Sequence, residues 1–202
     1  MRVDWLWALA PRANETYRRA FDDAEAVFRR FDITTPRRMR HFWAQILHES
    51  GGLTLLSENL YYSPERLMKV WPTRFRTLQD AIPYARNPEA LANKVYAGRM
   101  GNTDPGDGWK FRGRGLLQIT GRHNYTTASH VLGVDFTEQP GLVLATDHCL
   151  SVAAAMWQYL GANEAADKND LLAVTARING GSIGAADRAA WLHRVDGGMA
   201  SV

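Results

Sequence analysis

Cysteine is almost absent from this chain. Cys149 stands alone among 202 residues, so no internal disulfide can brace the fold. It lies in the apolar run "HCLSVAAAMWQYL", where a single thiol reads as a small buried hydrophobe, and the fold needs no oxidising compartment. Long hydrophobic runs are missing too. The N-terminal stretch from Trp5 to Ala10 is preceded by Asp4 and stopped by Pro11. That is shorter than a signal-peptide core and far below the ~20 residues of a membrane span. The expectation is a protein made soluble in the cytoplasm without a targeting segment. The six histidines (41, 48, 123, 130, 148 and 193) contain no HExxH arrangement, because "HES" lacks its second histidine. No metal or other cofactor is therefore expected. No internal repeat, low-complexity tract or nucleic-acid fold signature occurs, and nucleic acid is not an expected partner.

Lysine is scarce at 4 against 20 arginines, and arginine suits planar hydrogen-bonded contacts with anions. The charge is unevenly spread. Residues 66–122 carry 11 basic and 4 acidic groups, whereas residues 123–202 carry 4 and 8. A basic middle segment fits an anionic polymer, or it is an ordinary solvated face. Hydrophobic residues make up 46% of the chain, with 7 Trp, 7 Tyr and 7 Phe. That suffices for one globular domain with a real core, divided into two lobes.

The pattern is mostly helical. Thr35-Pro36, Ser63-Pro64 and Asn87-Pro88 each place a capping side chain before a proline whose missing N–H does no harm at a first helical position. After the first, Met39, Phe42, Trp43, Ile46 and Leu47 recur at three- and four-residue spacings, and Gly51-Gly52 ends the helix. Tyr17, Phe21, Ala24, Val27, Phe28 and Phe31 predict one further amphipathic helix. "GAADRAAWLHRVDGG" predicts a late helix closed by its glycines. Residues 101–122 hold six glycines and read as an ordered loop with a short hairpin, strand-like at "LLQIT".

Two carboxylates stand close to the glycine break: Glu49 in "HESGG" and Glu58 in "SENL". Glu49 falls on the last helical turn, where the carbonyl fringe disfavours negative charge, a setting that suits a proton donor. Glu58 follows on a loop. Inverting hydrolysis of a glycosidic bond needs a protonated carboxyl and an ionised one roughly 6.5–9.5 Å apart, with water and sugar between them. The spacing permits that arrangement, and it also permits two solvated glutamates.

The segments "HESGG…SENLYYSPERL", "YAGRMGNTDPGDGWKFRGRGLLQITGRHNY", "ATDHCLSVAAAMWQ" and "ARINGG", in this order from about Thr35 to Arg188, closely resemble the family 19 glycoside hydrolases, and among them the chitinase-related endolysins of bacteriophages. The resemblance implies Glu49 as general acid and Glu58 as general base. It implies that Gln118, Thr120 and Asn124 line the sugar cleft with Tyr125 supporting them, that Asn179 of "INGG" enters the cleft, and that Arg188 organises the acidic site. His48 and Tyr96 are further carried-over positions. Taken alone, Gln118 and Thr120 fit the solvent face of a half-buried strand, Asn179 a helix-end turn, Tyr96 and Tyr125 core filling, and Arg188 an exposed helix position.

The expected architecture is mostly α, a lysozyme-like two-lobed domain with a central cleft and a short β-hairpin. Residues 1–202 are expected to form one catalytic domain without a separate wall-binding module. The expected activity is that of an endolysin, acting as a monomer on peptidoglycan glycan strands at the periplasmic wall, with a separate holin-type membrane partner for release. A chitinase, a lytic transglycosylase needing one carboxylate, and a non-enzymatic basic wall-binding module with Trp71, Phe75, Trp109 and Phe111 among its arginines are the alternatives.

Overall fold

Side-chain caps set where the helices start. The computed structural model describes residues 3–200. Among these the helices are α1 (Asp4–Leu9), α2 (Glu15–Ala20), α3 (Ala24–Arg30), α4 (Pro36–Glu49), α5 (Pro64–Val70), α6 (Leu78–Ala81), α7 (Pro88–Tyr96), α8 (Asp107–Lys110), α9 (Arg122–Leu132), α10 (Thr146–Tyr159), α11 (Ala162–Asp167), α12 (Leu171–Asn179) and α13 (Ala185–Ala200). The Thr35, Ser63 and Asn87 side chains accept from the backbone N–H three residues on, starting α4, α5 and α7 as the capping pattern predicts.

Two of the expected helices differ. The single helix expected from Tyr17 to Phe31 is broken into α2 and α3 by a turn at Phe21–Asp23, where Asp22 and Asp23 are poor helix formers. Its apolar face survives the break, with Tyr17, Phe21, Ala24, Phe28 and Phe31 buried. The last helix is not closed by its glycines: α13 runs through Gly197 and Gly198. A Cβ at Gly198 would come within 2.8 Å of the Trp5 ring, so glycine here lets α13 lie against α1.

Two separate apolar clusters make two lobes. The larger surrounds α4, whose residues His41 to Leu47 are all buried. Trp43 sits among Phe21 (5.0 Å between ring centroids), Phe28 (5.4 Å) and Trp5 (5.7 Å), and Phe42 meets Trp157 edge-on at 5.4 Å. Each such buried aromatic contributes about 1.5–3 kcal/mol. The smaller cluster holds Leu60, Leu67, Phe75, Ala81, Leu91, Ala92 and Val95 from α5 to α7. Residues 101–122 join the two, since Trp109 packs on the smaller cluster and Phe111 is buried in the larger.

The expected hairpin shrinks to one bridged pair. Arg114 and Ile119 exchange backbone hydrogen bonds of 3.3 and 3.0 Å, and no strand forms among the described residues. Gln118 has φ 49°, left-handed rather than extended, so "LLQIT" is a tight turn and not an alternating strand. On its other side Arg114 bridges Ser57: Glu58 N–H donates to Gly113 C=O at 3.0 Å and Gly115 N–H to Leu56 C=O at 2.9 Å. This small ribbon fixes Glu58.

Candidate active site

Glu49 is the last residue of α4 because the chain turns left-handed directly after Ser50. Gly51 and Gly52 have φ of 58° and 70°, and Gly52 N–H returns to Leu47 C=O at 2.7 Å. The Ser50 hydroxyl, itself buried, accepts from Leu53 N–H at 2.9 Å and donates to Ile46 C=O. Below the carboxylate lies Arg188, 1% exposed, whose Nη2 donates to Glu49 Oε1 and whose Nη1 donates to Gln45 Oε1. Gln45 in turn donates to Thr175 Oγ1 at 3.4 Å, tying α4 to α12. The carbonyl fringe of the helix end repels negative charge at Glu49, and the guanidinium attracts it. Glu49 Oε2 has no protein partner among the described residues.

His48 faces a different neighbour. Its Nδ1 lies 2.6 Å from Asp187 Oδ2, and its ring packs on Gly184, where an added Cβ would stand 2.6 Å from Cε1 and Nε2. His48 thus latches the end of α4 to the start of α13, one residue before Arg188.

Glu58 is held by donors on both oxygens. Gly113 N–H donates to Oε1 and the Tyr96 hydroxyl to Oε2, each at 2.6 Å. Burial first, and then the nearby Glu58 charge, push the Tyr96 phenol well above its ordinary range, so Tyr96 remains a donor. Gly113 leaves room for the convergence. A Cβ there would meet Thr120 Oγ1 at 3.2 Å, Gln118 Oε1 at 3.3 Å and Glu58 Oε1 at 3.3 Å.

A cavity of about 340 Å³ opens beside this loop. Glu49, Gln118, Thr120, Asn124 and Asn179 supply its polar lining; Leu117, Met156, Leu160 and Ile178 are among the apolar residues. Asn179 also shapes its own turn, donating to Ile183 C=O and accepting from Gly181 N–H, both at 2.8 Å. Gln118 and Thr120 therefore touch both carboxylates' surroundings: Glu49 across the cavity, Glu58 across Gly113.

The family model described as class I chitinase, glycoside hydrolase family 19, matches residues 80–196. That range takes in Gln118, Thr120, Asn124, Asn179 and Arg188 and begins after both glutamates. A protein of Haemophilus influenzae described as containing a glycosyl hydrolase family 19 domain is 44% identical over 149 residues, 73% of this chain and 72% of that one. The chain belongs to glycoside hydrolase family 19. Its fold is likewise that of solved family members. Chitinase C of Streptomyces griseus superposes with a TM-score of 0.63 at 17% identity, over 97% of this chain and 75% of that one. The class IV chitinase of Zea mays gives 0.62 at 15%, over 96% and 90%. The protein is thus a chitinase-like glycoside hydrolase with a mostly helical, lysozyme-like fold.

In this family 19 hydrolase the ten expected site positions fall into three groups. Glu49, Gln118, Thr120, Asn124 and Asn179 line the cavity. Glu58 adjoins it, with Tyr96 behind; Arg188 sits beneath Glu49 and is buried, not on an exposed helix face. Tyr125 and His48 do not line the cavity. Tyr125 is fully buried, its hydroxyl accepting from Arg114 at 2.7 Å and donating to Arg112 C=O at 2.8 Å, so it braces the loop from inside. Gln45, Thr175 and Asp187 were not singled out. Gln45 did leave a signal, a polar residue inside the apolar face of α4 and four before Glu49, where side chains share a face. Among the described residues no cluster of His, Cys, Asp or Glu could hold a metal, and no helix is long and apolar enough to cross a membrane.

Proposed function

We propose that this family 19 hydrolase is a peptidoglycan-degrading endolysin. It cleaves the β-1,4 bond between N-acetylmuramic acid and N-acetylglucosamine by inversion, with Glu49 as acid and Glu58 as base. One observation carries the assignment: both oxygens of Glu58 accept hydrogen bonds, whereas Glu49 keeps Oε2 free at the cavity. A carboxyl gripped by donors at both oxygens is fixed in place to take a proton from water. One with a free oxygen beside the substrate space can carry a proton to the leaving oxygen. Water entering between them loses a proton to Glu58 as it attacks the anomeric carbon from the opposite face.

Charge favours peptidoglycan over chitin as substrate. Chitin is a neutral polymer, while peptidoglycan carries carboxylates on its peptide branches, and the 66–122 segment, which lends Met100 and residues 117–120 to the cavity, has 11 basic against 4 acidic groups. The H. influenzae relative, matched over most of its length, is bacterial. In this reading the protein reaches the periplasmic wall from the host cytoplasm with a separate holin-type partner and acts as a monomer.

The test is digestion of purified peptidoglycan in ¹⁸O-labelled water with mass spectrometry of the products. Labelled reducing ends on muramic acid are expected. Unlabelled anhydro ends would instead identify a transglycosylase. Cleavage of N-acetylglucosamine oligomers alone would identify a chitinase. Wall binding without new ends would identify a binding module.

A further inference from the structure

The loop that holds Glu58 carries a cation that forms no salt bridge among the described residues. Among the arginines around the site, Arg188 is paired with Glu49, and Arg122 with Asp104 and Asp107 at 2.6 Å. Arg114 is buried, its Nη1 spent on the Lys110 and Arg112 carbonyls and the Tyr125 hydroxyl. Arg112 is different. It stands one residue before the Gly113 amide that grips Glu58, and its guanidinium lies 3.7 Å from the Trp109 ring centroid. Its Nη1 donates to Trp109 C=O at 3.1 Å. Among the described residues Nε and Nη2 donate to nothing, neither is sealed from solvent, and no carboxylate pairs with the group.

Both oxygens of the nearest carboxylate, Glu58, are already taken by Tyr96 and Gly113. Burial, and then the neighbouring Arg114 charge, push the Arg112 guanidinium below its ordinary range, and the Glu58 charge offsets this only in part. The Trp109 ring and carbonyl pre-orient the guanidinium and leave its Nε and Nη2 side open, which is one of the bidentate geometries that arginine offers a carboxylate.

We propose that Arg112 is a substrate-binding residue that takes a carboxylate of the lactyl-peptide branch of peptidoglycan, and so sets the preference for a branched anionic glycan over a neutral one. The inference rests on the peptidoglycan reading above. The branch sits on alternate sugars beside the bond to be cut, and Arg112 sits beside the base. A neutral N-acetylglucosamine polymer has nothing for this fork to bind.

The experiment compares kcat/KM on three polymers: intact peptidoglycan, the same material with its carboxylates amidated, and glycan stripped of peptide so that the lactyl carboxylate is free. The wild type is expected to prefer carboxylated over amidated polymer by about ten-fold, the worth of one hydrogen-bonded charge contact. R112Q should erase that preference, chiefly through KM, and R112K should retain part of it. R112M, which keeps an unbranched stem on Trp109, serves if R112Q does not fold. Loss on the intact polymer assigns the contact to a peptide carboxylate, loss on the stripped polymer to the lactyl one, and either supports the proposal. A wild-type preference that persists unchanged in the folded variants overturns the role of Arg112 alone. A wild type that cuts N-acetylglucosamine oligomers and none of the three polymers overturns the peptidoglycan reading, and this inference with it.

Discussion

Arg188 of α13 donates to Glu49, the last residue of α4, and to Gln45 one turn earlier, from a position 1% exposed to solvent. A single buried cation thus fixes the proposed acid against the helix that carries it. Arg188→Ala leaves Gln45 and Glu49 without their donor. The expected cost is about 3–5 kcal/mol, read as a lower denaturation midpoint in urea with an unchanged slope. Arg188→Lys should fall between, because an ammonium cannot present the same planar fork to both acceptors. A loss under 1 kcal/mol for the alanine variant would contradict this role.

Tyr96 donates to the proposed base, and its phenol remains protonated across the working range. Tyr96→Phe keeps the ring and removes that donor. It should lower kcat by about 10- to 100-fold, as expected for a lost hydrogen bond to a charged group, with little change in KM. Equal kcat in a folded variant would count against Glu58 as the base that this bond orients.

Much of this arrangement is legible from local chemistry. Thr35, Ser63 and Asn87 cap their helices, and Gly51-Gly52 terminate α4 after Glu49, because capping and left-handed backbone depend on neighbours in sequence. What escaped depends on distant partners. Asp187 meets His48 from 139 residues away, and Thr175 meets Gln45 across 130. The "LLQIT" alternation misleads because Gln118 turns left-handed, which a side-chain pattern does not reveal. Gly197 and Gly198 read as a helix end, whereas Gly198 serves close packing on Trp5. Tyr125, expected to support the cleft residues, does so from α9, buried and bonded to Arg114 and to the Arg112 carbonyl.

Stability should fall on the alkaline side. Burial pushes the Cys149 thiol from 9.0 up to about 12, and pushes the Tyr17 and Tyr96 phenols upward from 10.0. Each group therefore keeps its proton in the folded state at a pH where the unfolded chain has lost it. The folded state binds more protons, so unfolding free energy decreases as pH rises, starting near pH 9. Urea titrations from pH 8 to 11 should show that decline, and Cys149→Ala should delay its onset. A flat profile would contradict it.

Gly184 has φ 76°, and a Cβ there would overlap the His48 ring at 2.6 Å. Gly184→Ala must strain the backbone and displace the ring from Asp187. The expected loss is about 1–3 kcal/mol in stability with a fall in kcat, since the latch joins the residues directly before Glu49 and Arg188. Thermal unfolding and kinetics on one preparation check both, and a variant matching the wild type in each would remove the latch.

The central claim is that two carboxylates, Glu49 and Glu58, invert the bond they cut. The most direct measurement is proton NMR of the anomeric signals in the first minutes of digestion of a soluble peptidoglycan glycan fragment. The account predicts that the new reducing end appears as the α anomer and only later equilibrates. A first-formed β anomer, or a product with no reducing end, would contradict it.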